Sequence, residues 1–156
     1  MLFLVDAMLG NVAKKLRLLG YDSEYFSDID DFKLLQKALD ENRIIISKDQ
    51  NLIKRAEKNG MPSIHITKSD EIGQFIEIHQ KTKLRLNKIS GDSARCTKCN
   101  SSTSLINKSV IANKIPQKIL EFHDTFWKCD RCNQIYWEGT HVENLQNFVN
   151  EIKSKL

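Results

Sequence analysis

The chain has 156 residues and a formal net charge of +4 at pH 7. Residues 1–90 carry 15 basic against 13 acidic side chains and residues 91–156 carry 9 against 7, so neither part is a basic tail, and a polyanionic partner is permitted without being demanded. The opening MLFLVDAMLGNVAKK sets an acid at position 6 and has no long apolar stretch after a basic start, and no apolar run is long enough to span a bilayer; the expectation is a soluble, cytoplasmic protein without a membrane partner.

In chain order, LFLV (2–5) is a continuous apolar run that suits a strand buried on both faces. NVAKKLRLLG follows, with Val12, Ala13, Leu16 and Leu19 at helical spacing, Lys14, Lys15 and Arg17 on other faces, and Gly20 as the residue that ends the helix. SEYF (23–26) is a weaker strand, and Asp31 is placed to cap a helix whose apolar face is Leu34, Leu35, Ala38 and Leu39. RIIIS (43–47) is the clearest strand, QNLIKRAEKNG (50–60) reads as a helix, SIHIT (63–67) as a fourth strand, and a last helix of this half starts from a cap at Asp70. Short connections between alternating strands and helices require a mostly parallel sheet, and four such units predict a compact α/β domain over residues 1–88.

From Lys81 to Lys98 six basic residues face one acid, Asp92, around Ser90-Gly91, which reads as a flexible linker and a candidate phosphate-contacting strip. Residues 89–156 hold all four cysteines, as Cys96-Thr-Lys-Cys99 and Cys129-Asp-Arg-Cys132 with 29 residues between the pairs. In a reducing compartment two such pairs predict one tetrahedral four-thiolate site. A closed site is structural; Zn²⁺ is expected from its commonness, iron fits the same ligands, and His123 and His141 are not needed. Phe126, Trp127, Tyr136 and Trp137 lie near Lys128 and Arg131 around the second pair of this zinc ribbon, where aromatics among cations can stack bases but in so small a module more often form its hydrophobic core. VENLQNFVNEIKSKL makes an amphipathic terminal helix.

In a parallel α/β sheet ligands bind beyond the carboxyl ends of the strands. Asp6 ends the first strand; Asp28, Asp30 and Asp31 follow the second; Asp49 follows the third and Asp70 the fourth. Asp31, Asp49 and Asp70 each have a sufficient role as a helix cap, whereas Asp6 has Asn11 as a better-placed competitor for capping. Carboxylates converging on one edge need a cation, and hard oxygen donors suit Mg²⁺ or Mn²⁺ and hence phosphodiester chemistry. A phospho-acceptor receiver domain is disfavoured, because Val5 and Ala7 flank Asp6 where a second acid is wanted and no fifth strand ends in lysine.

The segments FLVDAMLGNVAKKLRLLGYD, DIDDFKLLQKA, RIIISKDQNL and CDRCNQIYWEGTH together resemble the PIN-like ribonucleases of the Mut-seven C-terminal type. The resemblance spans nearly the whole chain. It implies a PIN-like fold, a catalytic Mg²⁺ or Mn²⁺, and metal-dependent endonucleolytic cleavage of RNA, with the ribbon and basic linker positioning RNA, a ribosome or another protein. By position it assigns Asp6, Asp31 and Asp49 to the catalytic metal site, with Asp30 competing for the place of Asp31. Lys48 stands where such chains usually have arginine, and Asn51 where they often have another acid. The alternative is a catalytically weak or inactive RNA- or ribosome-binding module.

Overall fold

In a computed structural model that describes residues 1–156, the first half forms four parallel strands: β1 (Leu2–Val5), β2 (Asp22–Tyr25), β3 (Ile44–Ser47) and β4 (Ser63–His65). Their order is β2-β1-β3-β4, with Phe3 beside Ser23 and Ile44, and Ser47 beside His65. Helices α1 (Gly10–Leu18), α2 (Asp31–Glu41), α3 (Gln50–Lys58) and α4 (Glu71–Thr82) cover the two faces, giving the α/β domain the sequence predicts.

Side-chain alternation along the strands sorts the helices. Phe3, Val5, Ile46 and Ile64 face α1 and α4, while Leu4 and Ile45 face α2 and α3. Burial of each such side chain contributes roughly 1.5–3 kcal/mol, so the apolar runs at β1 and β3 fix both layers.

Three local expectations are corrected. The residue capping α2 is Asp30, whose Oδ1 accepts the Lys33 N–H at 2.9 Å; Asp31 is already helical. Asp6 does act as a cap, for a short 3₁₀ turn at Ala7–Leu9 that precedes α1, and Asn11 lies within that helix. Arg17, which the periodicity sets with Lys14 and Lys15 off the apolar face, is nonetheless only 5% exposed.

After α4 the basic segment is anchored and not a free tether. Leu84, Leu86 and Ile89 are buried in the same core as α1 and α4. A side chain at Gly91 would meet the Trp127 ring at 2.5 Å, so only glycine lets the chain cross there. The Gly91 N–H donates to Glu138, and Trp127 Nε1 donates to Asp92.

The second half is a small antiparallel sheet of β5 (Thr103–Ile106), β6 (Phe126–Cys129) and β7 (Ile135–Tyr136), with α5 (Gln117–Phe122) between the first two strands. Ile111, Leu120 and Phe126 form its own core. The terminal helix α6 (Thr140–Lys155) then returns to the first half: Leu145, Val149 and Ile152 join Phe3 and Phe75 in one cluster, and Phe148 meets Phe75 edge to face. No helix is long and apolar enough to cross a membrane.

Candidate functional site

The parallel strands place Asp6 and Asp49 beyond the carboxyl ends of the adjacent strands β1 and β3. Between them sits Ser47, the last residue of β3 and fully buried. Its hydroxyl donates to Asp6 Oδ2 at 2.7 Å and accepts the Asp49 N–H at 2.9 Å, so one side chain ties the two acids together. The Asp6 N–H donates to Ile46 O at 2.9 Å, which fixes its backbone against β3 as well.

Asp49 caps α3 through one oxygen only: Oδ1 accepts the N–H groups of Asn51 and Leu52, while Oδ2 accepts no hydrogen bond from the protein. The cap role and an outward-facing oxygen therefore coexist. The backbone leading into Asp49 is pinned by two further bonds, from Ile66 N–H to Ser47 O at 2.8 Å and between His65 Nε2 and Lys48 O at 3.2 Å.

The second-strand acids behave differently. Asp31 Oδ2 lies 3.5 Å from Arg55 Nη1 of α3, bridging α2 to the helix that Asp49 caps, and Asp30 is engaged at the start of α2. Neither is bonded to Asp6 or Asp49. Asp6, Asp30, Asp31 and Asp49 do not bring three donor oxygens within 4.8 Å of one another, a spacing only the four cysteines reach. Mg²⁺, however, is commonly held by one or two carboxylates, with water and substrate phosphate completing its shell. Asp6 and Asp49, with an unengaged oxygen on the latter, fit that manner of binding.

A shallow groove beside these acids is lined by Ala7, Asn11, Tyr25, Lys48, Glu71 and Gln74, among others. Glu71, on its wall, is paired with Lys15 at 2.7 Å. Lys48 supplies a cation to this groove directly between Ser47 and Asp49. Sequence reading passed over two participants, Ser47 and Arg55. A hydroxyl at the last strand position, two residues before the acid, was the available signal for Ser47; nothing local marks Arg55.

The cysteine module forms a second, closed site. Cys96 Sγ lies 3.5 Å from Cys132 Sγ and Cys99 Sγ 3.4 Å from Cys129 Sγ, with all four sulfurs within 4.8 Å of one another. Zn–S bonds of about 2.3 Å in a tetrahedron require sulfurs roughly 3.8 Å apart, so the cage is of zinc size. The amides of Arg131 and Cys132 point at Cys129 Sγ, and the Tyr136 hydroxyl lies 3.0 Å from Cys96 Sγ. Burial works to raise the Cys99 thiol, but the Ser101 hydroxyl and amide outweigh it and hold it to about 6, while burial pushes Cys129 up to about 11. The four cysteines can therefore bind zinc as a structural set that leaves no ligand position open for chemistry.

A parallel α/β domain with acids on its carboxyl edge, followed by a four-cysteine ribbon, is thus the class of protein defined here. The Mut7-C RNAse domain model matches residues 1–149, and the chain belongs to that family. No curated protein and no solved structure is significantly similar to the chain. Family membership makes its function ribonuclease-related and RNA its substrate class.

Proposed function

We propose that the protein is a divalent-metal-dependent endoribonuclease that hydrolyses RNA phosphodiester bonds in RNA processing or turnover. The observation that carries this reading is the Asp6–Ser47–Asp49 relay at the carboxyl edge of a chain of the Mut7-C RNAse domain family.

Asp6 and Asp49 would hold Mg²⁺ or Mn²⁺, with Asp31 or Asp30 approaching from α2. The bound ion would supply charge stabilisation to the phosphoryl oxygens and lower the pKa of an attacking water. Ser47 keeps the Asp6 carboxylate oriented and so acts on the site through Asp6. Lys48 offers a point charge to a backbone phosphate in the adjoining groove. The functional division we infer is a nuclease unit over 1–88 and a zinc ribbon over 89–156, with α6 reaching back onto the nuclease core. The ribbon and the basic segment 81–98 then position RNA, or a ribosome or protein that carries it, in the cytoplasm.

The second reading, an RNA- or ribosome-binding module without chemistry, is favoured by Asn51 in place of an acid and by the engagement of Asp31 with Arg55. A panel of structured and unstructured RNAs incubated with Mn²⁺ or Mg²⁺ and with EDTA separates the two. Metal-dependent internal cleavage is expected. Binding that weakens with salt but yields no product under any metal would establish the second reading instead.

The ribbon metal is tested separately. Freshly purified protein should carry one zinc ion per chain by elemental analysis, and Cys129→Ser should lose it; iron as the only tightly bound metal would overturn zinc.

A further inference from the structure

The outer strand of the parallel sheet on one side is β2, and an outer strand exposes a row of unpaired N–H and C=O groups. At Ser23 both groups are taken by side chains. The Ser23 N–H donates to Asn100 Oδ1 at 2.9 Å, and its carbonyl accepts Arg17 Nε at 2.8 Å. Ser23 is fully buried as a result.

Both partners belong to, or are held by, the first cysteine turn. Asn100 follows Cys99 directly, is 4% exposed, and takes a left-handed φ of 68° that closes the turn, its N–H donating to Cys96 O at 2.9 Å. Asparagine is among the few residues with a side chain that adopt that conformation readily. Arg17 Nη1 donates to Thr97 O at 2.7 Å, and the Arg95 N–H donates to Arg17 O at 2.8 Å.

The contact also carries charge. Asn100 Nδ2 donates to Asp22 Oδ1 at 2.7 Å, and Arg95 Nη2 lies 3.5 Å from Asp22 Oδ2. The amide suits this place because it offers an acceptor to the Ser23 N–H and a donor to the Asp22 carboxylate at once. From Asp22 the network passes to Arg43, whose Nη1 also donates to Phe3 O at 3.1 Å. Phe3 lies in β1 and Arg43 directly precedes β3, the two strands that end at Asp6 and Asp49.

We propose that the Cys96–Cys99 turn acts as the cover for the free edge of the parallel sheet, so that filling of the four-thiol site controls whether β2 stays closed. The sulfur spacing fits zinc, and the ion would cross-link this turn to Cys129 and Cys132 on the far side of the ribbon. Without that cross-link the turn is released, and with it the Asn100 amide and the Thr97 carbonyl. The Ser23 N–H and carbonyl then exchange their protein partners for water.

Hydrogen–deuterium exchange of the full chain tests this, zinc-loaded against chelated. Chelation should speed exchange of the Ser23 amide by about tenfold or more and leave the amides of α3 near Ile53 and Ala56 unchanged. Asn100→Gly keeps the left-handed turn available while removing the side chain. It should raise Ser23 exchange to a similar degree with one zinc still bound per chain. Protection at Ser23 that survives zinc removal overturns the proposal, as does parent-like exchange in Asn100→Gly. Equal loss of protection in β2 and α3 on chelation overturns it too, because the ion would then support the whole fold and not this edge. None of these readouts depends on RNA cleavage, so their failure is distinct from failure of the nuclease reading.

Discussion

Asp49→Asn and Asp6→Asn are each expected to reduce metal-dependent RNA cleavage by more than about 100-fold, whereas Ser47→Ala should fall within the roughly 10–100-fold cost of losing a group that only orients a ligand. The separation follows from the geometry. An asparagine at position 49 keeps an oxygen for the Asn51 and Leu52 amides, so α3 retains its cap and only the charge presented to a cation is lost. Position 6 differs, because Oδ1 accepts the Ala7 N–H and Oδ2 the Ser47 hydroxyl, so an asparagine keeps one acceptor and turns an NH2 donor toward the other partner. Thermal unfolding of Asp49→Asn should therefore stay close to the parent, within about 1 kcal/mol of stability, while Asp6→Asn should lose about 1 kcal/mol more with the bond it cannot make. Ser47→Ala acts differently, because it removes the two hydrogen bonds that bridge the acids while leaving both charges in place. Initial rates at saturating Mn²⁺ decide the matter, and full activity in both aspartate variants would refute the assignment. The same assay on Asp30→Asn and Asp31→Asn decides which acid of α2 takes part. An asparagine at position 30 keeps an oxygen for the Lys33 N–H, and one at position 31 costs only an exposed pairing with Arg55, so neither variant should lose much stability and the cleavage rate alone separates them.

What the sequence made legible was whatever repeats at short range. The runs LFLV and IIIS declare strands buried on two faces, and the structure places β1 and β3 at the centre of the sheet. Two CxxC pairs declare a four-thiol cage, because each pair needs only its own turn to present two sulfurs. Adjacent acids are harder. Asp30 and Asp31 have the same capping chemistry, and only the backbone decides which precedes the helix and which enters it.

Long-range polar pairing left no local trace at all. Arg17 satisfies the pattern of a solvent-facing helical cation, yet it is buried because its five donors can serve Ser23 and Thr97 together, 80 residues apart in the case of Thr97. Asn100 and Arg43 are similar cases, each defined by partners on other elements. The terminal helix shows an apolar face in the sequence, but nothing in that face says which half of the molecule it covers; Phe75 and its neighbours decide it. The mutual position of the ribbon and the sheet rests on these pairings, and so it was the least legible part of the fold.

Arg43→Met is expected to lower stability by about 3 kcal/mol, the lower end of what breaking a buried ion pair costs. The guanidinium is 7% exposed and donates to Asp22 Oδ1 at 2.6 Å, to Glu41 Oε2 at 2.5 Å and to the Phe3 carbonyl. Methionine fills much of the volume but leaves Asp22 with Asn100 and Arg95 alone, which keeps the loss from being larger. For a chain of this length that corresponds to a fall of roughly 6–12 °C in Tm. Acid adds a second signature. Burial alone would raise the Asp22 carboxyl, but the hydrogen bonds from Arg43 and Asn100 and the charges of Arg43 and Arg95 outweigh it and hold it below the ordinary carboxylate range. A folded-state pKa below the unfolded value of about 3.9 contributes stability that is complete above that pH and is lost as pH falls through the lower folded value. The parent should therefore lose stability steeply below about pH 4, and Arg43→Met should show a shallower acid limb because much of that contribution is already gone. Asp22→Asn should flatten the same limb, and the double variant should be less unstable than the sum of the two, as expected for residues in direct contact. Urea denaturation between pH 3 and pH 7 measures all of this; additive losses and parallel acid limbs would show that Arg43 acts through packing and not through Asp22.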